Sequence, residues 1–252
     1  EINKDNKLEL LSIKYSHPQW MIKRWLERFT EKETEEILKA NNQKPTFTIA
    51  VKPEERAYIA EHLNKRGILS KFTKYAPSGL IIEGQGHEIR EVLRDANFFW
   101  LVQDEASQLA CFFLEPFEEI VVLDVCSSPG GKALLTSALM RRGKVICIEK
   151  NRRRYKILNE NIERLKKFLP KVQIESLLTD AFEFNKKNCF ERIILDAPCT
   201  SLGVVRRNPD VRYRCNESEI ERLSGNQTRL LEHISKFLHK EAALTFSTGF
   251  QT

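Results

Sequence analysis

The six cysteines of this chain, at positions 111, 126, 147, 189, 199 and 215, include no CxxC pair. That spacing excludes a cysteine-rich zinc site and a disulfide-built scaffold, and it points to a reducing, cytoplasmic setting. No apolar run approaches the roughly 18 residues of a membrane span. No signal-peptide pattern is visible at the first residue, Glu1, and a start other than methionine fits a processed or trimmed chain. The phosphate-loop pattern GxxxxGK[ST] is missing, because Cys126 stands where its first glycine would be and Ala133 follows Lys132. GxGxxG is missing too. There is no internal repeat and no low-complexity linker. Metals, membranes and phosphate-bearing cofactors therefore lose ground together.

What is present describes a soluble globular protein. The 252 residues are 41% hydrophobic and 30% charged, enough for one large domain or two smaller ones. Lys and Arg number 41 against 35 Asp and Glu, a net charge of +6 with pI near 9.0. Such a balance suits a polyanionic partner, nucleic acid first.

Residues 1–40 read as helical, with Trp20, Ile22, Trp25, Leu26 and Phe29 on one face after the turn at Pro18. The cluster Asn41-Asn42-Gln43-Lys44-Pro45 breaks them. Strands are expected at 47–51, 68–72, 80–82 and 98–102, with helices at 54–65 and 87–96, a compact α+β module. From Gln103 the rhythm changes. Helices at 103–113, 132–142 (ending at Gly143), 152–168 and 217–238 alternate with strands at 120–125, 144–149, 172–178, 192–195 and 242–247. That alternation implies a parallel sheet built from right-handed crossovers.

Two stretches carry chemistry. The first is Asp124-Val125-Cys126-Ser127-Ser128-Pro129-Gly130-Gly131-Lys132, a strand followed by a glycine turn and a helix start. Paired glycines there let backbone approach a ligand closely. Glu149 closes the next strand, where a carboxylate can accept hydrogen bonds from two ribose hydroxyls. Asp180 follows the third strand, where it can meet an adenine amine. Acids after successive strands with a glycine turn suit S-adenosylmethionine better than a dinucleotide. The second stretch is Asp196-Ala197-Pro198-Cys199-Thr200-Ser201-Leu202-Gly203, followed by Arg206-Arg207-Asn208-Pro209-Asp210. It delivers an acid and a thiol to the carboxyl edge of a sheet, where open α/β folds bind ligands.

These motifs resemble those of the Sun/Nop family of RNA (cytosine-C5) methyltransferases, nearest its bacterial ribosomal RNA branch. His17-Pro18-Gln19-Trp20 and Asn41-Asn42 match the start of that family's N-terminal RNA-binding region. Val102-Gln103-Asp104-Glu105-Ala106-Ser107-Gln108 matches the entry to its catalytic domain, and residues 196–210 its DAPCSGxGxxRxxPD segment. The resemblance implies an α/β fold: a Rossmann-like class I methyltransferase sheet over residues 103–252, lacking its last two strands, preceded by a small α+β RNA-binding module over 1–102. It also implies S-adenosylmethionine against Cys126, Ser127, Ser128, Pro129, Gly130, Gly131, Lys132, Glu149, Asp180 and Asp196.

In that family one cysteine, here Cys199, assists product release, and a second attacks the base from a Ser/Ala-Thr-Cys-Ser sequence. Here that sequence reads Ser247-Thr248-Gly249-Phe250, so the nucleophile's place is taken by Gly249. Ala50-Val51-Lys52 likewise departs from the family's Arg-Val-Asn. Cytosine carbon 5 becomes nucleophilic only after a thiolate adds to carbon 6, and the adduct must later be released. Asp196 would bind or protonate the base edge, and Cys199 would need nearby positive charge for activation.

Arg206, Arg207, Arg212 and Arg214 are the expected phosphate contacts, which position RNA without reading sequence. Further basic clusters lie at 150–154, 166–167 and 186–187. The target base must leave its stack to be reached. The expectation is a cytoplasmic monomer, without metal or membrane, acting on RNA, ribosomal rather than transfer RNA. The alternative is a catalytically silent RNA-binding protein that keeps a cofactor pocket, and a third reading has Cys199 itself attacking the base.

Overall fold

The computed structural model describes residues 4–84, 86–186 and 189–247. The chain forms two compact units. In the first, residues up to 45 pack with residues 198–228, a partnership that a division at residue 102 does not express. Its early helices are α1 (Lys4–Tyr15), α2 (Gln19–Leu26) and α3 (Glu31–Asn41). A reciprocal cap starts α3: Glu33 N–H donates to Thr30 Oγ1, and Thr30 N–H to Glu33 Oε2. Met21, Ile22, Trp25 and Leu38 bury themselves with Leu202, Val205, Val211 and Ile220.

The second unit holds two sheets. β1 (Phe47–Val51), α4 (Arg56–Asn64), β2 (Leu69–Phe72), β3 (Gly79–Glu83), α5 (Gly86–Arg94) and β4 (Trp100–Val102) form a four-stranded sheet in the order β2-β3-β1-β4, with every pairing antiparallel. This is the split βαβ arrangement of ferredoxin-like modules. Ile49, Val51, Leu80 and Ile82 face its helices, whereas Ala50 and Leu101 on the opposite face join the core of the larger sheet. After α6 (Glu105–Phe113) come β5 (Glu119–Val125), α7 (Gly131–Leu139), β6 (Arg142–Glu149), α8 (Arg152–Leu165), β7 (Val172–Leu178) and β8 (Phe190–Asp196). The short α9 (Val211–Arg214) and the long α10 (Glu217–Ser235) lead to β9 (Leu238–Ser247). The strand order is β7-β6-β5-β8-β9, all parallel, the Rossmann-like sheet expected from the alternation. No helix among the described residues is long and apolar enough to cross a membrane.

Several element boundaries differ from expectation, and two of the differences have a visible cause. α7 stops at Leu139, and Gly143 lies inside β6 rather than capping a helix. A Cβ at Gly143 would sit 2.1 Å from the Ile120 carbonyl oxygen, and its φ is +133°. The glycine thus serves close strand pairing. α10 ends before Leu238 because the Phe237 carbonyl already accepts the N–H groups of Cys189 and Phe190, which commits the chain to the sheet.

The first unit also carries a buried polar cluster. His17 is 1% exposed. Its Nδ1 lies 2.7 Å from the Tyr15 carbonyl oxygen and so carries the proton, leaving Nε2 to accept from Asn41 Nδ2 at 3.3 Å. Burial, and secondarily the Arg212 cation, push its pKa down from 6.5 to about 4. Between those values the unfolded chain binds a proton that the folded chain refuses, so stability falls as pH drops from 6.5 and levels off below 4. The difference approaches about 3 kcal/mol. Urea unfolding at pH 7 and pH 4 should show this loss, and His17→Asn, which keeps a donor for Tyr15, should shrink it. An unchanged pH dependence in that variant would remove His17 as its source.

Candidate cofactor site and thiol loop

The strand-to-helix turn after β5 is built on a buried acid. Asp124 is 1% exposed and accepts a hydrogen bond from Ser127 Oγ at 2.7 Å. Burial pushes its carboxyl up to about 7, against the pull of the Ser127 hydroxyl and the Lys132 ammonium, while the Asp196 charge adds to the rise. The backbone then turns through left-handed conformations at Cys126 (φ 60°) and Gly130 (φ 99°). The φ at Gly130 requires glycine, and a Cβ there, 2.8 Å from Leu158 Cδ1, would also make that side chain shift. Gly131 differs. A Cβ there would make ordinary contact with Gln103 Nε2 at 3.7 Å, so packing does not require glycine at that place. Burial, then the charges of Glu149 and Asp124, push the Cys126 thiol up to about 12, which keeps it neutral.

Because β7, β6, β5 and β8 are parallel neighbours, their carboxyl ends bring the expected acids to one edge. Glu149, the last residue of β6, is 4% exposed; its Oε1 accepts the Asn151 N–H at 2.9 Å. Its Oε2 lies 3.4 Å from Arg154 Nε but accepts no hydrogen bond. Asp180, two residues past β7, accepts the Phe182 N–H at 3.0 Å and faces Lys150 Nζ at 3.4 Å. Asp196, the last residue of β8, is half exposed and held at 2.7 Å by the largely buried Lys132 ammonium.

Cys199 and the four arginines belong to the other unit. Cys199 is half-buried, and the carbonyl of Pro198 before it accepts Gln227 Nε2 at 2.7 Å. A cavity of about 200 Å³ lies between Cys199, Thr200 and Ser201 and the residues Val211, Arg214 and Cys215. Ser201 has φ +62°, a left-handed conformation at the place where the motif carries glycine. Arg206 donates to the Lys44 carbonyl at 2.7 Å, and Arg214 pairs with Asp210 at 2.8 Å. Arg207 is partly buried, which lowers its pKa. Arg212 requires a correction as a phosphate contact. It is 4% exposed, and its guanidinium donates to the Ser16 carbonyl at 2.8 Å and to Asn42 Oδ1 at 3.1 Å, so it cross-links its own unit. Gly249 lies outside the described residues. Among the described residues no group of three or more His, Cys, Asp or Glu is placed to hold a metal.

Two residues around these turns escaped the sequence reading, whereas Asp124 was legible as the acid that heads the first stretch, inside the apolar run of β5. Arg154 was only one of a basic run, and Gln227 one polar residue of an amphipathic helix. The strained Ser201 generates a stability prediction. Ser201→Gly should stabilise the chain by about 0.5–1 kcal/mol, because relief of the left-handed strain exceeds the entropy that glycine adds to the unfolded chain. A lower urea midpoint in the variant would contradict it.

The family described as 16S rRNA methyltransferase RsmB/F matches residues 111–250, and an RsmF/B-like ferredoxin-like domain matches residues 17–87. The probable ribosomal RNA small subunit methyltransferase B of Bacillus subtilis is 28% identical over 252 residues, covering 97% of this chain and 55% of that protein. The solved structure of PH0851 has a TM-score of 0.85 at 27% identity and covers 98% of this chain and 56% of its own. A methyltransferase homologue from Pyrococcus horikoshii shares the fold, with a TM-score of 0.79 at 22% identity over 96% of this chain and 76% of its own. The chain spans about half the length of the curated relatives it matches. With more than half of its residues matched, the chain belongs to the RsmB/F family of 16S rRNA methyltransferases.

Proposed function

We propose that this chain is an S-adenosylmethionine-dependent RNA methyltransferase of the cytosine-C5 type that acts on ribosomal RNA. The observation that carries the cofactor reading is the Glu149 carboxylate, buried at the end of β6 with one oxygen that accepts no hydrogen bond. A ribose diol supplies the missing donors. The acceptor at Asp180 fits the rest of such a cofactor. When bound, S-adenosylmethionine would supply an electrophilic sulfonium methyl. The names of the relatives favour ribosomal RNA.

The chain's own residues divide the remaining work. Lys132 holds Asp196, and the carboxylate, half exposed, is free on one oxygen to grip the amino group of a cytosine. Cys199 is the thiol for adduct release. Arg206, Arg207 and Arg214, with the module within residues 1–102, gather the phosphate backbone. Gly249 favours a second reading, in which the chain binds cofactor and RNA but is catalytically silent. A glycine has no side chain to add to carbon 6, and a thiol misplaced by about 1 Å forfeits on the order of 100-fold in rate.

Calorimetry should show that the chain binds S-adenosylmethionine and that Glu149→Ala weakens binding by about 1–3 kcal/mol, the usual cost of unpaired polar groups. No binding by the parent, or tight binding of NAD instead, would overturn the cofactor reading. In a tritiated-methyl assay on ribosomal RNA the parent should turn over very slowly, and Gly249→Cys should raise the rate. Robust parental turnover that Cys199→Ala abolishes would instead make Cys199 the nucleophile.

A further inference from the structure

The first turn of α8 sets function against helix stability. It contains Arg152, Arg153 and Arg154 and no acid, although the partial positive charge of a helix N-terminus disfavours cations there. The three arginines have different surroundings. Arg152 and Arg153 are exposed and form no ion pair among the described residues. Arg154 faces the cofactor turn. Its Nη2 donates to the Ser128 carbonyl at 2.5 Å, and its own carbonyl accepts Ser128 Oγ at 2.7 Å. Its Nε lies 3.4 Å from Glu149 Oε2, the carboxylate oxygen that accepts no hydrogen bond. About two turns further along, Asn161 Nδ2 donates to the Pro129 carbonyl at 2.9 Å.

We propose that Arg154 is a positioning residue of the cofactor site, whose guanidinium fixes the Glu149 carboxylate and the turn of residues 126–131 in one geometry. The inference rests on the S-adenosylmethionine reading and deepens it. A carboxylate as buried as Glu149 requires a compensating cation, and removing that cation leaves it uncompensated. A planar guanidinium reaches a carboxylate and a carbonyl at once, whereas a lysine ammonium is a single point charge. The clamp therefore orients the acid toward the ligand while holding the glycine turn at its depth. Asn161 secures the next carbonyl from the same helix.

The sign of the electrostatics makes the idea testable. S-Adenosylmethionine carries a sulfonium, an ammonium and a carboxylate, so it is a net cation, and removing a nearby positive charge should tighten its binding through Coulomb attraction alone. Arg153→Ala removes such a charge without touching the turn, and it should bind the cofactor as tightly as the parent or slightly more tightly. Arg154→Ala should bind about tenfold more weakly or worse, the consequence of losing a charge-assisted hydrogen bond and an ion pair. Arg154→Lys should recover only part of the loss. Hydrogen exchange in the free protein reports the clamp without any cofactor: the Gly130 and Gly131 amides should exchange faster in Arg154→Ala than in Arg153→Ala.

Unchanged exchange, or equal affinity in the two alanine variants, would overturn the inference while leaving the cofactor reading intact. A parent chain that fails to bind S-adenosylmethionine would overturn that reading and, with it, the assignment of the clamp to a cofactor.

Discussion

The turn between β5 and α7 is the constraint on which the rest of the candidate site depends. A parallel sheet brings several strand ends to one edge, but an edge becomes a site only when the connecting turns hold fixed positions. Here the backbone enters the left-handed region at Cys126 and again at Gly130, where a side chain would also displace Leu158. Hydrogen bonds then secure the turn from both directions. Asp124 takes the Ser127 hydroxyl from below, while Ser128 and Pro129 are bonded to α8. Glu149 and Asp180 would be ordinary strand-end acids without a rigid turn to complete them.

The same turn explains the polarity of the site. Asp124 is buried so completely that its carboxyl rises to about 7, and Lys132 gives its ammonium to the exposed acid, Asp196, rather than to the buried one. An exposed carboxylate paired on one oxygen keeps the other for a partner. A buried one serves better as an acceptor for local structure. Two acids on neighbouring strands, Asp196 lying two residues beyond the Ile194 that pairs with Asp124, thus have different surroundings without any difference in residue type.

Much of this was legible in the sequence, for a physical reason. Strands β1 and β7 begin and end where apolar patterning places them, because burial of alternate or continuous apolar residues is a local property of sequence. The glycine turn and the strand-end acids were legible for the same reason. Gly143 was read as a helix stop because its constraint comes from Ile120, a residue on another strand. Arg212 was read as a phosphate contact because its partners, Ser16 and Asn42, lie 196 and 170 residues away along the chain. Polar clusters of that kind carry no periodic signature. Their members look like surface residues until the fold brings them together.

On the proposed reading of Gly249, burial also separates the remaining thiols. Cys111 and Cys126 are pushed up to about 12, and Cys147, fully buried, is pushed higher still, so none supplies a thiolate near neutral pH. Cys215 is raised by burial and by the Glu219 charge. Cys189 is exposed, but it precedes β8 at the end opposite Asp196, and seven residues of strand separate the two by roughly 20 Å. Cys199 follows Asp196 by three residues and opens onto a cavity. Cys215 lines the same cavity. On the proposed reading, Cys199 serving in place of residue 249 would have to perform attack and release with one sulfur where the resembled family's pattern provides two.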